Sequence, residues 1–330
     1  MDISCAFATS PDTPEHVEIA ERLGYRRAWL YDTPALCADV WITLALAAQR
    51  TSSIGLGTGV LVPRLRHVLV TAAPAAQVEL LAPGRLVLGI GTGFTGSRAL
   101  GQKAMKWSDV ASYVEALRAL LRGETVQWEG AAIRLLQSEG FAAQRPIDIP
   151  IVIAAEGPKG IAVGRRLAQG LFVTGMGLAP PDDFDWTIKL LWGTVLEDGE
   201  GPTSDRVLQA AGPAAAVTYH ALYEMGGAEA VAQALPNGAA WVDRIEAVPQ
   251  SERHLAVHDG HLIKLSEIDR ETIPREVVPE MTVTGTPDEV RIKLDAIAAS
   301  GLTEIAYQPQ GTDIPRELET FMAVARTAVG

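Results

Sequence analysis

The strongest constraint on the fold is a rhythm. Eight short apolar runs, at residues 3–8, 27–31, 54–60, 85–90, 151–154, 171–174, 207–211 and 304–308, are separated by longer segments. Most of these segments carry helical signals: Pro14 and Pro158 sit at first helical positions, and 106–122 places apolar residues at 110, 114, 117, 120 and 121. Helices are expected over 14–23, 40–50, 68–81, 106–122, 158–169, 182–197, 287–300 and 315–327, with a small hairpin joining 126–128 to 132–134. Alternation of strand and helix implies a parallel sheet, and eight repeats imply a closed (β/α)8 TIM barrel. The reading is therefore a single α/β domain over 1–330. An insertion at 215–281, after the seventh strand, is expected to rise from the C-terminal face and cover the active site.

The most informative strand is GRLVLGIGTG, residues 84–93. Its nearly continuous apolar run suits a strand buried on both faces. Gly91, Thr92, Gly93 and Gly96 follow at its C-terminal end, where glycines let a ligand approach the backbone closely. Ligands bind at that end of parallel sheets, closed or open. The plain alternative is a tight turn. Gly91-x-Gly93-x-x-Gly96 also matches a dinucleotide fingerprint, but it follows a fourth strand, and helix rather than an acid-tipped strand comes about 20 residues later.

Composition narrows the partners. With 48% hydrophobic and 21% charged residues the chain can bury a large core, and its net charge of −12 argues against nucleic acid and anionic membranes. Cys5 and Cys37 give neither a disulfide framework nor zinc spacing, which suits the cytoplasm. No signal peptide or transmembrane run is expected.

Other candidates lie on the same strand ends. Glu156-Gly157-Pro158-Lys159-Gly160 joins a buried strand to a helix, so backbone N–H groups and a lysine meet at a positive dipole end. This reads as a phosphate site or an ordinary loop. Asp32 ends the second strand, as a cofactor contact, a proton carrier or a helix cap. His254, His258 and His261 share one face if their segment is helical. Pocket lining, lid structure and a metal are the readings weighed, and no metal site is assigned. Trp41, Trp192 and Trp241 read as core or lid packing, with Trp41 also a candidate substrate contact.

Together AWLYD (28–32), IGLGTGVLVPRLRH (54–67), GRLVLGIGTG (84–93), IVIAAEGPKG (151–160) and GTPDEV (285–290) resemble the luciferase-like flavin and deazaflavin superfamily, especially its coenzyme F420-dependent oxidoreductases. The resemblance implies a TIM barrel with the cofactor ring at its C-terminal mouth. Asp32 matches the family acid beside the ring, and Gly59-Val60 a non-proline cis peptide against the ring face. Thr92 and Gly93 match ring or side-chain contacts. Glu156 and Gly157 match the phosphate loop, extended here through Pro158 and Lys159. Arg64, Arg66 and Lys159 would meet the acidic tail of F420. A homodimer acting on a small-molecule substrate is expected.

Two departures bear on the reaction. Where the sugar-phosphate dehydrogenases of this family have a His after the Asp, this chain has Thr33. Where they have a Glu, it has Phe94, a candidate substrate contact. The expected reaction is hydride transfer from reduced F420 to an activated C=C, C=N or similar acceptor. Asp32, His258 and His261 are the catalytic candidates, one of the histidines supplying the proton, and His254 and His258 line the substrate pocket. FMN-dependent monooxygenation and a non-catalytic F420-binding protein are the alternatives.

Overall fold

The structure, a computed structural model, describes residues 1–174 and 183–328. Eight strands close a parallel barrel: β1 (Asp2–Phe7), β2 (Arg27–Leu30), β3 (Gly55–Leu61), β4 (Leu86–Gly91), β7 (Ile151–Ala154), β8 (Gly170–Val173), β9 (Thr187–Trp192) and β10 (Glu304–Gln308). Two short strands, β5 (Val126–Trp128) and β6 (Ala131–Ile133), form the expected antiparallel hairpin outside it. Around the ring the order is β1-β10-β9-β8-β7-β4-β3-β2. The chain sorts into two compact units, Met1–Leu190 with Ser300–Ala306, and Leu191–Ala299 with Tyr307–Gly330, the boundary crossing β9 and β10.

In the first unit the barrel is filled from its N-terminal end. The Glu304 carboxylate, buried at the start of β10, accepts from Arg27 at 2.7 Å, Trp29 Nε1 at 3.0 Å and Trp186 Nε1 at 2.8 Å. Three donors on one carboxylate offset its desolvation. The Trp29 ring packs edge-on against Phe172, with centroids 5.2 Å apart. It leaves no space beside β3: a Cβ on Gly57 would lie 2.4 Å from the indole. Gly57 is therefore a packing requirement of Trp29, and these two residues fix how closely β2 and β3 approach.

Two expectations fail at the seventh strand. Residues 182–197 read as helix, yet 187–192 form β9, paired in parallel with β8 through Leu171↔Thr187, Phe172↔Ile188 and Val173↔Lys189. Residue 182 itself lies outside the described residues. Phe184, Ile188, Leu191 and Val195 are spaced like one face of a helix, which concealed a strand buried on both faces. Conversely, 207–211 read as the seventh strand but belong to the helix Asp205–Ala234. Ser204 caps it through Val207 N, and Val207, Ala210, Ala211 and Ala214 bury one helical stripe. The excursion after β9 thus begins before residue 215.

In the second unit this excursion is helical. Asp205–Ala234 is interrupted at Gly227 (φ 80°), and Gly238–Glu246, Arg253–His258, Glu267–Thr272 and Val278–Met281 follow. They pack on a core of Tyr219, Val231, Trp241, Ile245 and Val257. The turn after His258 is tied to the end of β10, because Gln308 Nε2 and Gln310 Nε2 both donate to Leu262 O, at 2.8 and 3.1 Å. Gln308 Oε1 in turn accepts from Trp192 Nε1 at the end of β9, at 2.6 Å.

Candidate active site at the strand ends

Within the first unit the sequence candidates gather on the C-terminal ends of β2, β3, β4 and β7. Asp32 follows β2 and is 2% exposed. Both its carboxylate oxygens accept from Arg66 Nη1, at 2.6 and 2.7 Å, and one also from Val62 N at 3.3 Å. Arg66 reaches on through Nη2 to Asp39 at 3.1 Å. The other Asp39 oxygen caps the helix Val40–Arg50 through Trp41 N and Ile42 N. Burial pushes the Asp32 carboxyl up, and the hydrogen bonds and charge of Arg66 pull it back. Arg66, expected to meet an acidic cofactor tail, is instead committed to two carboxylates. Its partners lie 34 and 27 positions away in the chain, a separation that hid the pairing from sequence reasoning.

The Gly59–Val60 peptide is cis, and both residues are half-buried. After β4, Gly93 takes φ 76°, and a Cβ there would lie 2.3 Å from Val62. Only glycine meets both conditions. Thr92 is half-buried, and its carbonyl accepts from Met105 N at 3.0 Å. Phe94 opens a short helix, Phe94–Arg98, that the sequence reading did not anticipate.

After β7, Gly157 caps the helix Pro158–Leu167, with Pro158 in its first turn. The first intrahelical bond runs from Ile161 N to Gly157 O, so the Lys159 and Gly160 N–H groups precede the ladder. Gly157 and Lys159 are exposed, and a Cβ on Gly157 would meet nothing within 4 Å. Gly160 is fixed by packing, since a Cβ there would lie 2.4 Å from Trp107. Open backbone, a positive helix end and a lysine make this a fit for a phosphate group. Glu156 is engaged sideways, accepting from Thr174 N at 2.7 Å and Thr174 Oγ1 at 3.2 Å. Lys189 on β9 is a charged neighbour the sequence reading missed, because its segment read as helix. Burial pushes its ammonium down and Glu156 pushes it back up. Among the described residues Arg64 donates to neutral acceptors, Gln102 Oε1 at 2.6 Å and Lys103 O at 3.5 Å, which do not cancel its charge.

The histidines lie in the second unit, and not on one helical face: Arg253–His258 ends at His258, and His261 follows in a turn. His254 is half-buried, whereas His258 and His261 are 2% and 5% exposed. His261 Nδ1 meets Nδ1 of His220, a residue the sequence reading passed over, at 2.9 Å. His220 Nε2 meets Asp269 Oδ1 at 3.1 Å, and the same oxygen accepts from Trp241 Nε1 at 2.8 Å. His258 Nε2 lies 3.7 Å from Glu224. His261 is thus linked through His220 to Asp269. Burial, then the charges of His220 and His258, holds His261 well below the usual histidine range. This is the geometry of a network that knits the helices of the second unit. Trp241 likewise serves this network. Among the described residues no group of three or more His, Cys, Asp or Glu is arranged to hold a metal ion.

The chain is thus a (β/α)8 protein with glycine-rich strand ends and an exposed helix N-terminus at Gly157. Residues 8–304 match the sequence profile described as Luciferase-like monooxygenase, and the chain belongs to that family. It is similar to 5,10-methylenetetrahydromethanopterin reductase of Methanolobus tindarius, with 24% identity over 96% of this chain and 94% of the relative. It is also similar to F420-dependent glucose-6-phosphate dehydrogenase of Kineococcus radiotolerans, with 28% identity over 92% and 88%. The solved F420-dependent tetrahydromethanopterin reductase of Methanopyrus kandleri shares the fold, with TM-score 0.64 and 20% identity over 99% of each chain.

Two predictions follow from the buried charges. Arg66→Met strands the Asp32 carboxylate and should cost about 3–5 kcal/mol in chemical denaturation, while the Asp32→Asn/Arg66→Met pair should cost clearly less. Equal losses would mean the ion pair is not what holds these segments. For His261, a folded-state pKa below the unfolded value of 6.5 means the unfolded chain binds more protons as the solution is acidified. Stability should therefore be fully present above about pH 6.5 and decline as pH falls below it. Urea midpoints from pH 8 to pH 5 should show that decline, reduced in His261→Gln. A decline unchanged by the substitution would place its origin elsewhere.

Proposed function

We propose that the protein is a coenzyme F420-dependent oxidoreductase that moves a hydride between the deazaflavin and a small organic substrate. The observation that carries this reading is the placement, on neighbouring strand ends of the barrel, of the Gly59–Val60 segment, the Thr92–Gly93 turn and the exposed Gly157–Lys159 helix N-terminus. Relatives named for F420 dependence, matched over most of their length, support it. Gly59, Val60, Thr92 and Gly93 would flank the ring, and Gly157, Pro158 and Lys159 would hold the phosphate, with Glu156 beside them. Arg64 keeps a charge suited to the acidic tail. When bound, F420 supplies a two-electron hydride carrier, and the protein supplies orientation and electrostatics.

The residues constrain the rest of the reaction. Asp32 gives up its ion pair with Arg66 if it takes a proton, so its role is to hold the β3 loop and cofactor edge in place. With Thr33 and Phe94 at the positions where sugar-phosphate enzymes carry His and Glu, the reading favours reduction of an activated C=C or C=N acceptor. Phe94 and Trp41 are the proposed substrate contacts in the first unit. The proton then comes from bound water or from Tyr31, beside Asp32. Among the described residues no helix is long and apolar enough to cross a membrane. A cytoplasmic homodimer completes the reading, and sedimentation velocity decides the dimer.

The test is turnover. Reduced F420 should be oxidised by at least one class in a panel of enones, imines, nitroarenes and ketones, followed by return of the oxidised coenzyme's absorbance. Turnover only with reduced FMN and dioxygen would make the protein a monooxygenase. Tight F420 binding with no turnover across the panel would make it a binding protein.

A further inference from the structure

Strand β3 carries one residue more than its neighbour β4. Thr58 pairs with Leu88 and Leu61 with Ile90, so Gly59 and Val60 stand opposite Gly89 alone. An extra residue of this kind turns the side chains that follow it to the other face of the sheet. Here that face is the barrel interior. Gly91 pairs with Ala154 and Ala154 with Phe172, so the three share the side on which Phe172 meets Trp29. The Val60 methyl groups lie against β4 on this side.

The two β4 glycines beside Val60 are glycine for different reasons. A Cβ on Gly89 would lie 2.2 Å from Thr58 O, so the β3 backbone already excludes it. A Cβ on Gly91 would lie 2.9 Å from Val60 Cγ2 and 3.3 Å from the Ala154 methyl, with the nearest main-chain atom of another strand 3.8 Å away. The φ of Gly91 lies outside the left-handed region. An alanine there is therefore opposed by side-chain packing and not by backbone conformation. Val60 cannot give way cheaply. A β-branched side chain is stiff at χ1, and the preceding Gly59 lies against Trp29, where a Cβ would come within 3.0 Å of Trp29 Cβ. A group added at Gly91 displaces Val60 as a whole, and Val60 is half-buried at the strand end.

We infer that Gly91 is a positioning residue for the cofactor ring, because the space it leaves to Val60 sets how deep Val60 sits at the strand ends. Gly91 acts through Val60. The inference rests on the cofactor reading of these strand ends.

A double-mutant cycle on the full chain tests it, with ring binding followed by fluorescence and the thermal midpoint of the ligand-free chain measured beside it. The ligand is whichever of F420 and FMN the unaltered chain binds. Binding of FMN alone overturns the deazaflavin reading, and the Gly91 series then proceeds on FMN; binding of neither overturns both. Gly91→Ala should weaken binding about tenfold, as expected where a filled site is overpacked. Adding Val60→Ala vacates the space the new methyl needs, and should restore affinity to within about threefold of Val60→Ala alone. The same Val60→Ala should not rescue Lys159→Ala, whose loss lies at the helix end. A purely structural Gly91 would lower the thermal midpoint while the folded chain bound as before. That result, or a loss that Val60→Ala leaves in place, would overturn the inference. If Gly91→Ala alone does not fold, the double variant is compared with Val60→Ala: matched affinities support the inference, and a gap of about tenfold overturns it. A double variant that also fails to fold overturns it too, since Val60→Ala should make room for the methyl.

Discussion

One guanidinium holds the upper edge of the barrel together. Arg66 joins the segment after β3 to Asp32 after β2 and to Asp39 at the start of the next helix. An arginine suits this task because its planar fork serves two carboxylates at once, and its charge survives burial. Isolated, the Arg66 and Asp32 charges would be costly to bury; together they offset one another, and Asp39 adds a partly exposed partner. The cis Gly59–Val60 peptide and the Val62 N–H that Asp32 accepts lie on the stretch so restrained. The conformation of this strand end is therefore braced by charges that lie beside it.

Below that edge, steric exclusion does the positioning. Trp29 fills the interior against Gly57, and Val62 fills the space a side chain at Gly93 would need. The glycines of the strand ends are thus of two kinds. Gly57, Gly93 and Gly160 are required because protein atoms already occupy the Cβ position. Gly157 faces open space, and there the absent side chain leaves the helix terminus accessible. It falls at a helix N-terminus, where an anion would gain from the helix dipole.

What was legible in the sequence follows the range of the interactions. Seven of the eight expected strand positions hold a barrel strand, because a run such as 85–90, buried on both faces, announces itself locally. Residues 187–192 did not, because their apolar spacing coincides with that of a helix, and only pairing with β8 decides the matter. The barrel and the glycine turns were readable for the same local reason. The partners of the charged residues were not. Asp32 was visible as an acid at a strand end, but Arg66 as its counter-ion is a tertiary fact. For His258 and His261 the sequence showed the residue types but not that His220 and Asp269, far apart in the chain, lie beside His261. Histidines in a helical excursion are ambiguous in this way, since burial makes them mutual partners and exposure makes them reagents.

The central claim is that the strand-end glycines, the cis peptide and the Gly157–Lys159 helix end form one deazaflavin site. Equilibrium titration of the protein with F420, followed by the coenzyme's fluorescence, tests it most directly, with FMN titrated in parallel. Saturable 1:1 binding of F420 is expected, markedly weaker in Lys159→Ala and in Gly157→Val, with no saturable binding of FMN. Saturable FMN binding in the absence of F420 binding would contradict it.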